Sequence, residues 1–151
     1  MIEPNKWQLR FLALAKHIAS WSKDPSTQVG AVIVDNQRRI VSTGYNGLPQ
    51  GVSDFHKRYV NRDLKYKMII HAEMNAIAFA QRSLQGCRLY TWPFAPCAVC
   101  TGVIIQSGIV QVVAPEISDE LMERWGEDMM FSIQMFEEAG VTRDIIMKEY
   151  L

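Results

Sequence analysis

Segments with strand periodicity alternate with segments of helical periodicity along the whole chain, and this alternation constrains the fold more than any other feature. Two β-branched runs come early, at 29–35 and 39–44, and the polar residues between them predict a hairpin. Further strands are predicted at 88–92 and 109–114, with a short one near 141–146. This order predicts an α/β fold.

Helical segments separate these strands. The predicted helices cover residues 6–21, 71–82 and about 96–107, and one or two more fill 118–140. Asn5 and Gln8 form a capping-box pattern before the first helix. Ser118 and Gly140 are typical N-cap and C-cap residues for the last segment. Gly and Pro are frequent in 45–54, which predicts a surface loop with room for a ligand.

Length and composition predict one domain spanning residues 1–151. The chain has 151 residues and 48% hydrophobic content, enough to bury a single core. Sixteen Lys and Arg balance sixteen Asp and Glu, so no global field favours binding to nucleic acid or to a membrane. No apolar run reaches the ~18 residues needed to cross a bilayer, and the first ten residues lack the apolar core of a signal peptide. We therefore expect a cytoplasmic protein, in the host cytoplasm if the source is viral.

The motifs HAEMNAI and APCAVC carry the chemistry of this sequence. His71 and Glu73 fall in the first turn of one predicted helix, and Cys97 and Cys100 in the first turn of another. Zinc binds nitrogen and sulfur ligands in a tetrahedral arrangement, and a catalytic zinc site uses three protein ligands. Helix N-termini lower thiol pKa values and so favour the thiolates that bind the cation. This pattern predicts a catalytic Zn²⁺ held by one His and two Cys.

Glu73 faces the same site without being needed as a ligand. A zinc ion lowers the pKa of water towards roughly 7, so an adjacent carboxylate can take a proton from the water and return it to a substrate. A carboxylate suits this general acid/base role when partial burial raises its pKa. Glu73 is therefore the predicted catalytic residue.

Each motif alone has simpler interpretations. A His at a helix start is often a cap, and a C-x-x-C pair can be a redox pair or half of a structural zinc site. Here the pair follows the third strand and a Pro precedes it, unlike the early position typical of thioredoxin-like units. A structural zinc would need a fourth ligand; Cys87 is the obvious candidate, but its place before a strand favours a buried apolar role. His17 and His56 are interpreted as structural and solvated, respectively.

The paired motifs match the signature of zinc deaminases, and the wider chain resembles one family. SKDPSTQVGAVIVD, STGYNGLPQG, HAEMNAI and APCAVC occur in the order seen in deoxycytidylate (dCMP) deaminases and together cover roughly residues 20–105. The resemblance implies a three-layer α/β/α sandwich around a five-stranded mixed sheet. It also implies a homohexamer that hydrolytically deaminates dCMP to dUMP and ammonia, a product that feeds dTMP synthesis.

The resemblance also suggests residues that contact the substrate. The Ala72 N–H and the carbonyl of Trp92 or Pro93 are similar in position to groups that hold the pyrimidine edge. Asn46 matches an Asn that contacts the sugar 3′-hydroxyl, and Trp125 lies near the position of a substrate-covering Tyr. Candidate donors to the 5′-phosphate are Ser22, Lys23, Ser26 and Thr27.

Several of these residues also have structural interpretations. Asn46 in Tyr-Asn-Gly is a typical turn residue with positive φ, and Trp125 can pack between helices. Lys23 can be a solvated surface charge, and many relatives carry Arg in its segment where this chain has none. Arg82, which matches an interface and regulatory Arg, also suits a helix C-terminus.

By the same resemblance, dCTP activates and dTTP inhibits, with Mg²⁺ bound to the triphosphate. The candidate effector residues are Gly44, Tyr45, Asn46, Gly47, Asn75 and Arg82. The insertion before the HAE motif contains one His and no Cys, so we expect one zinc per subunit and no second structural site.

Other functions remain as alternatives. A nucleoside (cytidine) deaminase usually has Cys at the position of His71, and a nucleic-acid deaminase needs a basic groove. A riboflavin-pathway deaminase generally has a longer segment between its two Cys ligands. A zinc deaminase of another cytosine compound and a non-catalytic zinc-binding regulator also stay open, although a regulator has no use for Glu73.

Overall fold

A five-stranded mixed sheet forms the centre of the protein. The structure, a computed structural model, describes residues 3–151. The strands, in chain order, are β1 (Gly30–Val34), β2 (Ile40–Tyr45), β3 (Arg88–Trp92), β4 (Gln111–Pro115) and β5 (Thr142–Ile146). Their order in the sheet is β2-β1-β3-β4-β5, with antiparallel pairs at β2-β1 and β1-β3 and parallel pairs at β3-β4 and β4-β5. The predicted five-stranded mixed sheet is confirmed.

Helices cover both faces of this sheet. They are α1 (Lys6–Ala19), α2 (Lys57–Val60), α3 (Arg62–Met68), α4 (Ala72–Ala80), α5 (Ala98–Gln106) and α6 (Asp119–Ala139), followed by a 3₁₀ turn at Lys148–Tyr150. Alternate residues of β1 point to opposite faces, and all five are buried. Val32 packs in a cluster with Phe11 and Leu12 of α1, whereas Ile33 packs in a cluster with Ala76 of α4 and Ile104 of α5. The three-layer α/β/α sandwich is therefore confirmed.

The structure corrects several predicted boundaries. Helix α1 ends at Ala19, short of the predicted residue 21, because Ser20 caps it and the chain then turns. Helix α4 ends at Ala80, since Gln81 adopts φ 50 and turns the chain out of the helix. Arg82 thus lies beyond the helix that it was predicted to end. Strand β4 begins at Gln111, two residues late, because the Gly108 turn with φ 89 extends the connection.

Other local predictions agree with the structure. The capping box of Asn5 and Gln8 is present, and the Ser118 side chain accepts from the Leu121 N–H. Gly140 is the left-handed C-cap of one continuous α6, which settles the choice between one and two helices. Helices α2 and α3 lie in the insertion before the HAE motif, where the sequence analysis predicted no helix or strand. In the described residues, no helix is both long and apolar enough to cross a membrane.

Gly44 fixes the distance between β2 and α4. A Cβ atom at this position would overlap the Ala72 carbonyl oxygen and the Ala76 nitrogen. The missing side chain therefore lets the backbone of α4 approach the sheet closely. Since α4 begins with the HAE motif, this contact sets the position of the predicted site. Gly44 was a candidate effector residue, but the close approach there is to α4 of the same chain.

Candidate functional site

Two helix N-termini bring the predicted metal ligands together. His71 is the N-cap of α4 and Cys97 is the N-cap of α5, while Cys100 lies in the first turn of α5. The ligand atoms of these three residues lie within 4.8 Å of one another. His71 Nδ1 is 3.5 Å from Cys97 Sγ and 3.3 Å from Cys100 Sγ. Neither N-cap residue makes a side-chain capping bond, so both side chains are free to face the site.

This donor set fits a zinc ion. A tetrahedral zinc with a Zn–S bond of about 2.3 Å and a Zn–N bond of about 2.0 Å separates sulfur from nitrogen by about 3.5 Å. The two S···N distances in the structure are 3.5 and 3.3 Å. Three ligands leave one tetrahedral position open, which is the arrangement of a catalytic zinc rather than a structural one. His71 is exposed, so the ligand cluster is next to the protein surface.

The pKa values of the two thiols show how they would bind a cation. The hydrogen bond from Cys100 lowers the pKa of Cys97 to about 4, against burial and with further help from His71. The pKa of Cys100 is raised by that same hydrogen bond and by burial. The hydrogen bond with Cys97 raises the pKa of His71 despite burial. One thiolate therefore forms readily, and the second needs the charge of a bound cation.

Glu73 is buried beside the ligands. Its side chain lies in the first turn of α4 and is only 3% exposed. Burial raises the pKa of Glu73, and the nearby His71 acts in the opposite direction. A raised pKa makes a carboxylate a stronger proton acceptor than an ordinary Glu, which suits general acid/base work. The site thus combines three metal ligands with a group suited to proton transfer.

The residues predicted to hold a pyrimidine are close to the metal ligands along the chain. Ala72 follows His71 directly and is buried, while Trp92 ends β3 and Pro93 begins the turn that leads to α5. Trp125 of α6 packs edge-to-face against Phe94 in that turn, with ring centroids 5.4 Å apart. Trp125 is therefore near the loop that leads to Cys97.

Asp128 of α6 was missed by the sequence analysis. Its carboxylate accepts a hydrogen bond of 3.0 Å from the Ala98 N–H at the start of α5. The Cys97 side chain makes no capping hydrogen bond, so Asp128 satisfies a first-turn N–H in its place. Asp128 lies on a different element, 30 residues from Ala98, and no local pattern could have indicated it.

Asn46 is buried and fully used as a donor. Its Nδ2 donates to the Thr27 carbonyl at 2.9 Å and to Asp24 Oδ2 at 3.3 Å, and its Oδ1 accepts from the Val29 N–H at 2.8 Å. An amide oxygen has two lone pairs, so one acceptor position remains. Among the described residues other than glycine, only Arg38 and Gln81 have positive φ, so the turn conformation expected for Asn46 is wrong.

The segment predicted to bind the 5′-phosphate makes most of its polar contacts within the protein. Lys23 is exposed and pairs with Asp54 at 2.6 Å, as the surface-charge interpretation predicted. The Ser22 hydroxyl donates to the Asn46 carbonyl at 2.8 Å. The backbone N–H groups of Ser26 and Thr27 donate to Asp24 Oδ1 at 2.9 and 3.3 Å. These contacts use the Ser22 hydroxyl and the backbone N–H groups of Ser26 and Thr27 as donors.

A second ion pair joins this segment to α3. Lys65 Nζ lies 2.7 Å from Asp24 Oδ2 and donates to Ser26 Oγ at 2.9 Å. Burial tends to raise the pKa of Asp24, but the hydrogen bonds from Lys65 and Ser26 outweigh it and hold the pKa below its ordinary value. Lys65 lies in the insertion to which the sequence analysis assigned no role.

Most of the candidate effector residues lie near one another, but Arg82 lies apart from them. Asn75 Nδ2 donates to the Tyr45 carbonyl at 2.8 Å, and Tyr45 is 41% exposed. A Cβ at Gly47 would meet nothing within 4 Å, so the loop is open there. Arg82 lies beyond the far end of α4 and bonds only locally, to the Ser83 carbonyl. Within one chain the structure does not bring Arg82 to the other candidates.

Cys87 is not part of the metal site. It is 1% exposed and packs in the hydrophobic cluster beneath α4 and α5. His17 packs edge-to-face against Trp21, and His56 is exposed next to α2. In residues 3–151, the group of His71, Cys97 and Cys100 is the one cluster of potential metal ligands.

Comparison with known proteins gives consistent matches. The sequence pattern of the cytidine and deoxycytidylate deaminase zinc-binding region matches residues 5–116. An uncharacterised deaminase of Aliivibrio fischeri, encoded in the luxG 3′ region, is 50% identical over 137 residues, covering 91% of each chain. Deoxycytidylate deaminase of Mus musculus is 40% identical over 143 residues, covering 91% of this chain and 78% of its own. The solved structure of dCMP deaminase from cyanophage S-TIM5, in complex with dCMP and dUMP, has the same fold, with a TM-score of 0.72 and 22% identity over 97% of this chain and 100% of that one.

Proposed function

The chain belongs to the cytidine and deoxycytidylate deaminase family, and from this premise we propose that it hydrolyses dCMP to dUMP and ammonia. The observation that carries the proposal is the buried Glu73 beside three ligands whose spacing fits zinc. Mouse deoxycytidylate deaminase, at 40% identity, supports dCMP as the substrate. The cyanophage dCMP deaminase, whose fold this chain shares, was solved in complex with dCMP and dUMP.

Metal binding and proton transfer are assigned to different residues. His71, Cys97 and Cys100 would hold the zinc, which when bound supplies a Lewis acid that makes water nucleophilic near neutral pH. Glu73 takes a proton from the attacking water and delivers it to N3 of the cytosine. Glu73 then takes the second proton of that water and gives it to the exocyclic amine, which leaves C4 as ammonia. Water is the only co-reactant, so atoms and charge balance.

Neighbouring groups are proposed to hold the nucleoside. The Ala72 N–H at the start of α4 and the carbonyl of Trp92 or Pro93 would bind the pyrimidine edge. Asn46 can accept a hydrogen bond from the 3′-hydroxyl through the free lone pair of Oδ1, but its two N–H groups are already used. Trp125 would cover the base from α6.

Comparison of the deamination rates of dCMP, CMP, deoxycytidine and dCTP tests this function. Purified zinc-loaded protein should deaminate dCMP faster than deoxycytidine, which has no phosphate, and faster than dCTP, which has three; the rate with CMP measures discrimination against the ribose 2′-hydroxyl. The loss of cytosine absorbance measures each rate. Preference for deoxycytidine would indicate a nucleoside deaminase, and no turnover of any substrate by zinc-loaded protein would favour a zinc-binding regulator.

Regulation by nucleotides is a second part of the proposal. The exposed Tyr45, the open backbone at Gly47 and the adjacent Asn75 form a loop surface suited to an effector. A triphosphate would arrive with Mg²⁺. Since Arg82 lies at the other end of α4, an effector contact with Arg82 would require another subunit of the proposed homohexamer. The Zn-binding thiols also favour a reducing compartment such as the cytoplasm.

Effector titration measures this regulation. At subsaturating dCMP with Mg²⁺ present, dCTP should raise the rate and dTTP should lower it. Asn75→Ala should weaken both responses while leaving the rate at saturating dCMP unchanged, because Asn75 organises the Tyr45 carbonyl rather than the metal ligands. A flat response of the wild-type protein to both triphosphates would contradict regulation without affecting the proposed reaction.

A further inference from the structure

We propose that Lys65 of α3 is the cation that binds the 5′-phosphate of the substrate and so sets the preference for a nucleotide over a nucleoside. This inference rests on the proposed dCMP deaminase activity. It differs from the expectation based on the segment around Lys23, because Lys65 belongs to the insertion before the HAE motif.

One of the three N–H donors of the Lys65 ammonium group is free to bind a ligand. It contacts Asp24 Oδ2 at 2.7 Å and Ser26 Oγ at 2.9 Å, and an ammonium group has three N–H donors. No third partner of Lys65 Nζ is found within the described part of the chain. The Lys65 side chain is 16% exposed, so the group is largely desolvated but still reachable.

A path of direct contacts connects the metal site to Lys65. Ile70, which precedes His71, exchanges two backbone hydrogen bonds with Gly47, at 3.1 and 2.8 Å. The residue before Gly47, Asn46, bonds to Asp24, which holds Lys65. A nucleotide carries its sugar between base and phosphate. With cytosine at the metal and the sugar at Asn46, the phosphate would reach the region of Lys65.

The alternatives in the same segment are weaker. Lys23 is 67% exposed and already paired with Asp54, so water screens any attraction to a phosphate. The N–H groups of Ser26 and Thr27 are used by Asp24. A partly buried ammonium attracts a phosphate more strongly than a solvated one, because the local dielectric constant is lower.

The carboxylate of Asp24 does not prevent phosphate binding at Lys65. Its oxygens accept from two backbone N–H groups, from Ser26 Oγ and from Asn46 Nδ2, in addition to Lys65. These donors disperse the negative charge and keep Asp24 fixed, with a side chain that is fully buried. Asp24 is therefore a positioning residue, which holds Lys65 and Asn46 side by side through the same oxygen, Oδ2.

The test is the ratio of kcat/KM for dCMP to kcat/KM for deoxycytidine in Lys65→Met. We expect kcat/KM for dCMP to fall about 10-fold to 100-fold, mostly through KM, because a charge-assisted hydrogen bond to phosphate is lost. The kcat/KM for deoxycytidine should not change. The matched control is Lys67→Met, which removes the same charge from an exposed position on the same helix and should behave as wild type.

Calorimetric titration with dUMP and deoxyuridine provides a readout that does not depend on turnover. Lys65→Met should weaken binding of dUMP but not of deoxyuridine, and Lys65→Arg should recover most of the dUMP affinity. Equal losses for both ligands would mean that Lys65 is only structural, and an unchanged preference for the nucleotide would overturn the inference. A loss in Lys23→Met instead would assign the phosphate to Lys23. If wild-type protein fails to deaminate dCMP, the proposed function is wrong, whereas an unchanged ratio in active Lys65→Met refutes only this inference.

Discussion

Glu73→Gln is expected to lower kcat for dCMP by about 10²-fold to 10⁴-fold while the protein keeps its zinc. Gln has nearly the same shape as Glu and can fill the same buried space in the first turn of α4. A neutral amide cannot accept the proton of the attacking water or deliver one to N3 and the amine. The measurement is steady-state kcat together with the zinc content of the purified variant.

The zinc content separates proton transfer from metal binding. Because Glu73 lies outside the set of three ligands, Glu73→Gln should bind one equivalent of zinc, as wild type does. Glu123→Gln on the exposed side of α6 is the matched control and should keep full activity. Normal turnover by Glu73→Gln would remove this residue from the mechanism, and loss of zinc would assign it to the metal site instead.

The metal cluster was predictable because its signals are local. A helix start can be identified from a few neighbouring residues, and residues three apart on a helix lie side by side. The motifs HAE and PCAVC each contain such a start, so the amino-acid pattern alone is enough to place His71, Cys97 and Cys100 at helix N-termini. The β-branched runs likewise predicted all five strands within about two residues.

The surroundings of the substrate site were not predictable in this way. Helices α2 and α3 have four and seven residues, too few to show a helical period. The ion pair joins Lys65 of α3 to Asp24, which lies in the loop after α1. The two residues are far apart in the chain, and nothing near either one indicates its partner. Gly44 was predicted as an effector residue, but α4 approaches the sheet there, and this depends on tertiary packing. Residues of this kind are fixed by tertiary contacts alone.

Removal of zinc is expected to abolish turnover while the fold persists. Zinc stabilises the transition state by several kcal/mol, so metal-free protein should lose at least about 10³-fold in kcat. Helices α4 and α5 are also held by apolar contacts, since Ala72, Ala76 and Ile104 are completely buried against the sheet. Dialysis against 1,10-phenanthroline should therefore leave the far-UV circular dichroism nearly unchanged, but it should lower the thermal midpoint because zinc binds only the folded site.

Reconstitution identifies the metal that the ligands select. One equivalent of Zn²⁺ should restore activity, whereas excess Mg²⁺ should not, because thiolates are soft ligands and Mg²⁺ requires oxygen ligands. His71→Ala should bind zinc weakly and stay inactive after the same treatment, since two thiolates alone leave the site one ligand short. Activity that survives complete removal of zinc, or that Mg²⁺ restores, would show that the cluster at the two helix N-termini does not carry the reaction.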